Sequence, residues 1–167
     1  RLVNTAIDGV MGREADVRAD VVKYAGSDLV CYRAERPDGL IKAQAKHWDP
    51  VLAWGEQHGI CLTVQRGLVH VAQPEASVAA VAHRVAPLAA FELTALHTML
   101  TLTGSALLAL GVVERAWDVE AAWNAAHVDE DWQIAEWGED EEAAARRTFR
   151  SVEMAAAGRL LDALRAG

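Results

Sequence analysis

Basic charge, cysteine and aromatic side chains are all in short supply in this chain, and each shortage narrows what the protein does. The 16 lysines and arginines are outnumbered by 24 aspartates and glutamates, for a formal net charge of -8. Binding a polyanion requires a basic face, so nucleic acid is disfavoured as a partner. The longest acidic stretch, Asp129-Glu130-Asp131 through Glu139-Asp140-Glu141-Glu142, suits a basic partner instead. Two cysteines, Cys31 and Cys61, do not make a disulfide framework, and their apolar contexts fit a reducing compartment. Aromatics are only 6% of the residues, yet six of them are Trp. By default these pack the core, with some free to serve as interface anchors.

Chemistry-bearing motifs are missing as well. None of the six histidines forms His-x-x-x-His or lies beside a cysteine at zinc-ligand spacing, so no metal site is expected. There is no Gly-x-x-x-x-Gly-Lys loop to cradle a nucleotide. Thr103-Gly104-Ser105-Ala106-Leu107 lacks the second glycine of a nucleophile elbow, and Ser105 reads as a small helix-packing residue. Cys31 reads as a buried, inert thiol. No cofactor is therefore expected, and the protein is read as a non-enzyme. No signal or transit peptide is visible, and a chain that opens on Arg1 reads as a fragment.

What is present is a 167-residue chain, 52% hydrophobic and 24% charged, long enough to bury one core without staples. Much of its apolar share is alanine, a strong helix former. The spacing predicts a mainly α fold, an orthogonal helical bundle with one short β-hairpin, forming a single domain. Helices are expected at about 2–10, 14–35, 40–58, 74–84, 88–113, 118–137 and 140–164, and the hairpin at about 60–73. In the second helix Val17, Val21, Tyr24, Asp28 and Cys31 share a face, and Asp28 reads as a satisfied cap or ion pair. Asp49 is placed as an N-cap ahead of Pro50 in a new first turn. Residues 88–113 are apolar on every side, but Glu92, His97, the threonines and Gly104 interrupt them and no positive cluster flanks them. A central buried helix is expected rather than a stable membrane insertion. Asp118 reads as a cap, and Asp140 as the start of the last helix. The last helix is expected to pack through Phe149, Val152, Ala156, Leu160 and Leu164.

One placement resists a purely structural reading. On the helix from Asp118 the apolar stripe is Val119, Trp123, Ala126, Ile134 and Trp137, and Glu130 falls in its middle. A carboxylate among indoles is costly to bury unless something pairs with it. Either Arg146, Arg147 or Arg150 reaches back from the last helix, or the face is a groove in which Glu130 awaits a basic or hydrogen-bonding group of a partner. Asp129 and Asp131 point elsewhere on the wheel.

Several blocks then resemble one family when taken in order. They are Asn4-Thr5-Ala6-Ile7-Asp8-Gly9, Tyr24-Ala25-Gly26-Ser27-Asp28-Leu29-Val30-Cys31-Tyr32-Arg33-Ala34 and Trp48-Asp49-Pro50-Val51-Leu52-Ala53-Trp54. Ala95-Leu96-His97 with Leu102-Thr103-Gly104-Ser105 follows, then Asp129-Glu130-Asp131-Trp132-Gln133 with Trp137-Gly138-Glu139-Asp140. The chain resembles the ATP synthase assembly chaperones of the Atp-twelve type. That resemblance implies a protein that binds the free alpha subunit of the catalytic head and shields it until a beta subunit replaces it, without nucleotide, metal or covalent chemistry. It implies a small β-rich N-terminal domain ahead of a helical one, and the first domain is read as absent here. It implies a bacterial cytoplasmic setting, or the mitochondrial matrix in eukaryotic relatives. It also implies an important acidic position, matched by Asp129, Glu130 and Asp131 ahead of Gln133, Trp137 and Gly138. With Trp123 these form the expected partner-binding set, and the wheel selects Glu130. A monomer is expected, since that face must stay open. Two competing readings are a hydrolase using Glu130 or His127 as a base and a structural homo-oligomer.

Overall fold

The chain's many alanines and few β-branched runs deliver what composition promises, a structure built almost wholly of helices. The computed structural model describes residues 9–67 and 69–166. Helix α1 spans Glu14–Ala25, and a 3-10 turn at Leu29–Cys31 leads into strand β1 at Tyr32–Arg33. Helix α2 (Asp38–Gln57), strand β2 (Gln65–Arg66), α3 (Glu75–Val85), α4 (Ala90–Thr103) and α5 (Ala106–Val113) follow. The chain finishes with α6 (Val119–Ala126), α7 (Val128–Trp137) and α8 (Glu141–Ala166). The helix expected at about 2–10 lies, apart from its last two residues, outside the described residues.

At the centre sits α5, where Ala106 through Val112 are all buried. Helix α4 packs along α8 and against α5, while α1 lies across α3 and α4, and α2, α6 and α7 close the other side. Such a helix, apolar all round, belongs in a core rather than on a surface. The expected 88–113 helix is in fact two. Gly104 takes a left-handed φ of 71° and Ser105 restarts the chain as an N-cap, its hydroxyl accepting from the Leu108 N–H at 3.0 Å. Ser105 is thus a cap, not a packing residue inside a helix. Among the described residues no helix is long and apolar enough to cross a membrane.

Because α5 begins inside the protein, its first N–H groups need protein acceptors. Asp28 supplies one. Its two oxygens accept from the Leu107 N–H at 3.0 Å and the Val30 N–H at 3.2 Å, and Ser105 also hydrogen-bonds the carboxylate. The expected 14–35 helix ends at Ala25 for this reason, so that Asp28 can cap both the 3-10 turn and α5. The reading of Asp28 as a cap stands. Complete burial raises its pKa from the ordinary 3.8 to about 6, with the hydrogen bonds from Ser105, Leu107 and Val30 working in the opposite direction.

The hairpin expected at 60–73 is replaced by a two-stranded parallel sheet, with Tyr32 opposite Gln65 and Arg33 opposite Arg66. Side chains, not a second strand, satisfy the rest of that segment. The Gln73 amide brackets Thr63, accepting from its N–H at 2.6 Å and donating to its carbonyl at 3.0 Å. Ser77 does the same for Cys61 at 2.9 and 2.8 Å. Pro50 and Asp49 also differ from expectation. Both lie inside α2, and Asp49 pairs with Arg33 at 2.8 Å instead of capping a new helix.

Four tryptophans tie elements together. Trp48 is buried and donates to the Ala125 carbonyl at 2.7 Å, joining α2 to α6. Trp117 donates to the Leu108 carbonyl at 3.0 Å and covers Gly111, where an added Cβ would lie 1.9 Å from its ring. Trp54 meets Trp117 edge-on at 5.2 Å, and Trp132 lies over Gly39.

Asp28→Ala leaves two buried N–H groups without acceptors and is expected to cost about 2–4 kcal/mol at pH 7. Folded Asp28 holds its proton more tightly than unfolded Asp28, so its own contribution to stability rises as pH falls from about 6 to 3.8. The stability gap between wild type and variant should therefore widen by about 2 kcal/mol between pH 7 and pH 4 in chemical denaturation. A gap that does not change with pH contradicts this account of Asp28.

Candidate functional site

The helix expected over 118–137 is broken at His127, which closes α6 and opens α7. Asp118 caps α6 as expected, accepting from the Ala121 N–H at 2.7 Å. The break has a side-chain cause. The His127 ring folds back onto the Trp123 indole, with ring centroids 3.8 Å apart, and its Nδ1 meets the Trp123 carbonyl at 2.7 Å. The stripe from Val119 to Trp137 is therefore not one continuous face. Trp123 stays half-buried on α6, whereas Trp137, at the end of α7, is 81% exposed.

The three acids of the first turn of α7 meet three different fates. Asp129 accepts from the buried Gln44 amide at 2.7 Å and lines a recess of about 330 Å³, bounded also by Tyr32, Glu35 and Arg36. Asp131 is held by Arg147 of α8 at 2.6 Å. Glu130 is half-buried, and the His127 Nε2 lies 4.0 Å from its carboxylate. Among the described residues no arginine or lysine pairs with it. The arginines weighed as its partners are engaged elsewhere, Arg146 on Glu142 at 2.7 Å and Arg150 on the Leu102 carbonyl at 2.7 Å. Gln133 is exposed, and Gly138 ends α7 with φ of 88°.

The contact between His127 and Glu130 is not a closed ion pair. Burial lowers the His127 pKa from the ordinary 6.5, and the charges of Arg147 and Arg150 push the same way, against the Trp123 carbonyl and Glu130. The neutral ring that donates Nδ1–H to Trp123 turns an Nε2 lone pair, not a proton, toward the carboxylate. Glu130 thus sits at a half-open position next to a ring that offers it no proton.

Beside that stack runs an open groove of about 560 Å³ between α6 and α8. Val119, Trp123, Met154 and Gly158 form its apolar part, and Asp118, Glu120 and Asp162 add acidic groups facing one cation, Arg159. Gly158 lets the two helices approach, since a Cβ there would lie 2.5 Å from Val119 Cγ2. Gln44, the residue that fixes Asp129, was not legible as part of this region, because it lies 85 residues away in sequence and only the packing of α2 on α7 brings it there.

The last helix corrects a further expectation. Asp140 caps α8, accepting from the Ala143 N–H at 2.7 Å, but the face that packs is Met154, Ala157, Gly158 and Leu161. The expected packing stripe points largely outward, with Phe149 and Val152 each 57% exposed and Leu164 41% exposed.

Comparison with known proteins places this arrangement among relatives. A family model described as ATP12 chaperone protein matches residues 1–56. The structure of the Atu1473 protein of Agrobacterium tumefaciens, a candidate chaperone, is similar with a TM-score of 0.93 and 44% identity, over 98% of this chain and 62% of that one. Atp12 of Paracoccus denitrificans gives a TM-score of 0.93 at 36% identity, over 97% of this chain and 70% of that one. A mutant of the Paracoccus protein in which one aspartate is replaced by lysine matches at 35% identity and the same TM-score.

A titration of the ring protons by nuclear magnetic resonance should find His127 losing its proton below the ordinary 6.5. Glu130→Gln removes a charge that favours the protonated ring, so the variant should titrate lower still. Folding linked to this group is most stable above pH 6.5 and weakens as pH falls toward the lowered value. An unchanged His127 titration in the variant removes the electrostatic coupling of the two residues.

Proposed function

The chain belongs to the ATP12 chaperone family, and on that premise we propose that it serves as an assembly chaperone of the F-type ATP synthase, binding the free alpha subunit of the catalytic head. It shields the interface that a beta subunit later occupies. A subunit destined for a ring exposes apolar surface before assembly, and such surface drives aggregation. Covering it reversibly needs apolar contact area, a charge to set register, and no energy source. A better-matched competitor then releases it.

The observation that supports this reading most is the state of Glu130. It sits half-buried next to His127, with no cation of the described residues paired with it, and His127 stacks on Trp123, which lines the groove between α6 and α8. A basic or hydrogen-bonding group of the alpha subunit would supply the missing partner. Asp129 and Asp131, held by Gln44 and Arg147, fix the turn that carries Glu130. Trp123, Gln133, Trp137 and Gly138 complete the proposed contact set. Trp137 is suited to an anchor because an exposed indole buries a large area on binding.

The hydrolase reading is less well supported. With His127 as the base it needs an accessible ring, but that ring is 5% exposed and stacked on Trp123; with Glu130 as the base it needs an orienting partner in hydrogen-bond reach, and His127 lies 4.0 Å away. The acidic surface also speaks against the homo-oligomer, since like-charged faces repel. The bacterial origin of the two similar proteins supports a bacterial cytoplasmic setting.

Retention of isolated alpha subunit on the immobilised full-length protein tests this. Wild type should hold it, Glu130→Gln should hold it roughly tenfold less tightly, and Glu130→Lys should lose it more completely. Equal retention by all three removes Glu130 from the site. Failure of the wild-type protein to retain any alpha subunit overturns the chaperone assignment.

A further inference from the structure

The motif Trp-x-x-x-His occurs twice in the chain, as Trp54 with His58 and as Trp123 with His127, and it folds the same way both times. In each pair the imidazole lies back on the indole, with ring centroids 4.5 and 3.8 Å apart, and Nδ1 meets the tryptophan carbonyl at 2.7 Å. In each the histidine closes a helix, α2 at His58 and α6 at His127. Ending a helix accounts for the stack, but not for what faces the other ring nitrogen of His127. Among the described residues the histidines that meet a carboxylate are His97, on Asp20, and His127, near Glu130. At 4.0 Å His127 Nε2 and the Glu130 carboxylate are too far apart for a hydrogen bond. The Glu130 side chain is half-open, and a movement of about 1 Å would bring it to bonding distance.

The protonation of the ring decides which distance holds. A neutral ring that donates Nδ1–H to the Trp123 carbonyl turns a lone pair at Nε2 toward another acceptor, which keeps the two apart. A protonated ring keeps that bond and gains an Nε2–H aimed at Glu130, for a charge-assisted hydrogen bond. The groups that face the ring set the balance. Burial and the charges of Arg147 and Arg150 on α8 favour the neutral form, against the Trp123 carbonyl and Glu130. Arg147 is held by Asp131 and Arg150 by the Leu102 carbonyl of α4. Helix α2 brings the neutral Gln44 and Trp48 to α7 and α6, and α5 is apolar and buried. The ring therefore gives up its proton below the ordinary 6.5 and is neutral at pH 7.

We propose that His127 is a positioning residue that gates Glu130. With the ring neutral, Glu130 is open to a cationic group of the alpha subunit; when the ring takes up a proton from solvent, Glu130 turns onto it and the partner is released. This rests on the chaperone reading above and adds a means of release other than displacement by a beta subunit. His127 is 5% exposed, so it acts through Glu130 and not by touching the partner. The gate is open at neutral pH and closes under acid load. Linkage makes the effect reciprocal, since a partner's cation beside Glu130 pushes the ring's titration point lower still.

The test measures binding of isolated alpha subunit to the full-length protein from about pH 7.5 downward, with the ring's titration point read by nuclear magnetic resonance. Apparent affinity should fall with the neutral fraction of the ring, by about twofold at the titration point and about tenfold one pH unit below it. His127→Gln cannot take up the proton, and its affinity, relative to its own value at about pH 7.5, should lack that fall. His58→Gln removes the other stacked histidine and should keep it. Groups that titrate elsewhere, Asp28 among them, are common to all three proteins. A parallel fall in wild type and His127→Gln overturns this inference and leaves the chaperone reading intact. Absence of wild-type binding at neutral pH overturns both. Should the thermal midpoint show that His127→Gln does not fold, wild type decides alone. Its ring should titrate lower in the complex than in the free protein, and an equal or higher titration point overturns the proposal.

Discussion

A helix sealed on every side has no water at its start, and that constraint organises this fold. The first N–H groups of α5 must find acceptors within the protein, and Asp28 and Ser105 provide them. To place Asp28 there, the chain leaves its helix at Ala25 and turns through residues 26–31. To place Ser105, it breaks at Gly104, whose carbonyl in turn receives the Leu29 N–H at 3.1 Å. The break lets α4 fold against α5 and lie along α8, rather than continuing as one long apolar rod. Retaining a fully buried carboxylate at this junction is costly, as its raised pKa records, but no apolar residue could accept two N–H groups.

The same packing decides what faces outward. Helix α8 meets α4 and α6 through its alanines and Gly158, small residues that allow close approach. Its larger side chains Phe149, Val152 and Leu164 are turned away from the core. The negative charge gathers in the same segment, on α7 and the start of α8. A stable core and an acidic exterior are thus built on one set of helices.

Local chemistry was legible in the sequence, and remote chemistry was not. The cap at Asp118, the start of the last helix at Asp140 and the helix between Pro74 and Pro87 are local, and they appear where the residues place them to within a residue. The apolar period, by contrast, runs unbroken through Ala25–Cys31, through Gly104 and through His127. It cannot register that Asp28 is needed 79 residues away or that His127 will stack on Trp123. The hairpin failed for a related reason: Gln73 and Ser77 side chains take the backbone groups that a second strand would have used. On α8 the period picks out the stripe from Phe149 to Leu164, whereas the face that packs is Met154, Ala157, Gly158 and Leu161. Volume would have been the better guide, since the face of small residues is the one that packs. For the candidate site, the wheel brought Glu130 to attention, but its surroundings depend on the break at His127 and on Gln44 and Arg147 from other helices.

The central claim is that the acidic turn of α7, beside the stacked rings of Trp123 and His127, is where a partner subunit lies. Hydroxyl-radical footprinting of the full-length protein, alone and with isolated alpha subunit bound, tests it most directly. Trp123 and Trp137 should be oxidised more slowly in the complex, while exposed Met11 and Val69 keep their rates. Protection of Met11 or Val69 with no change at the two tryptophans would contradict the account.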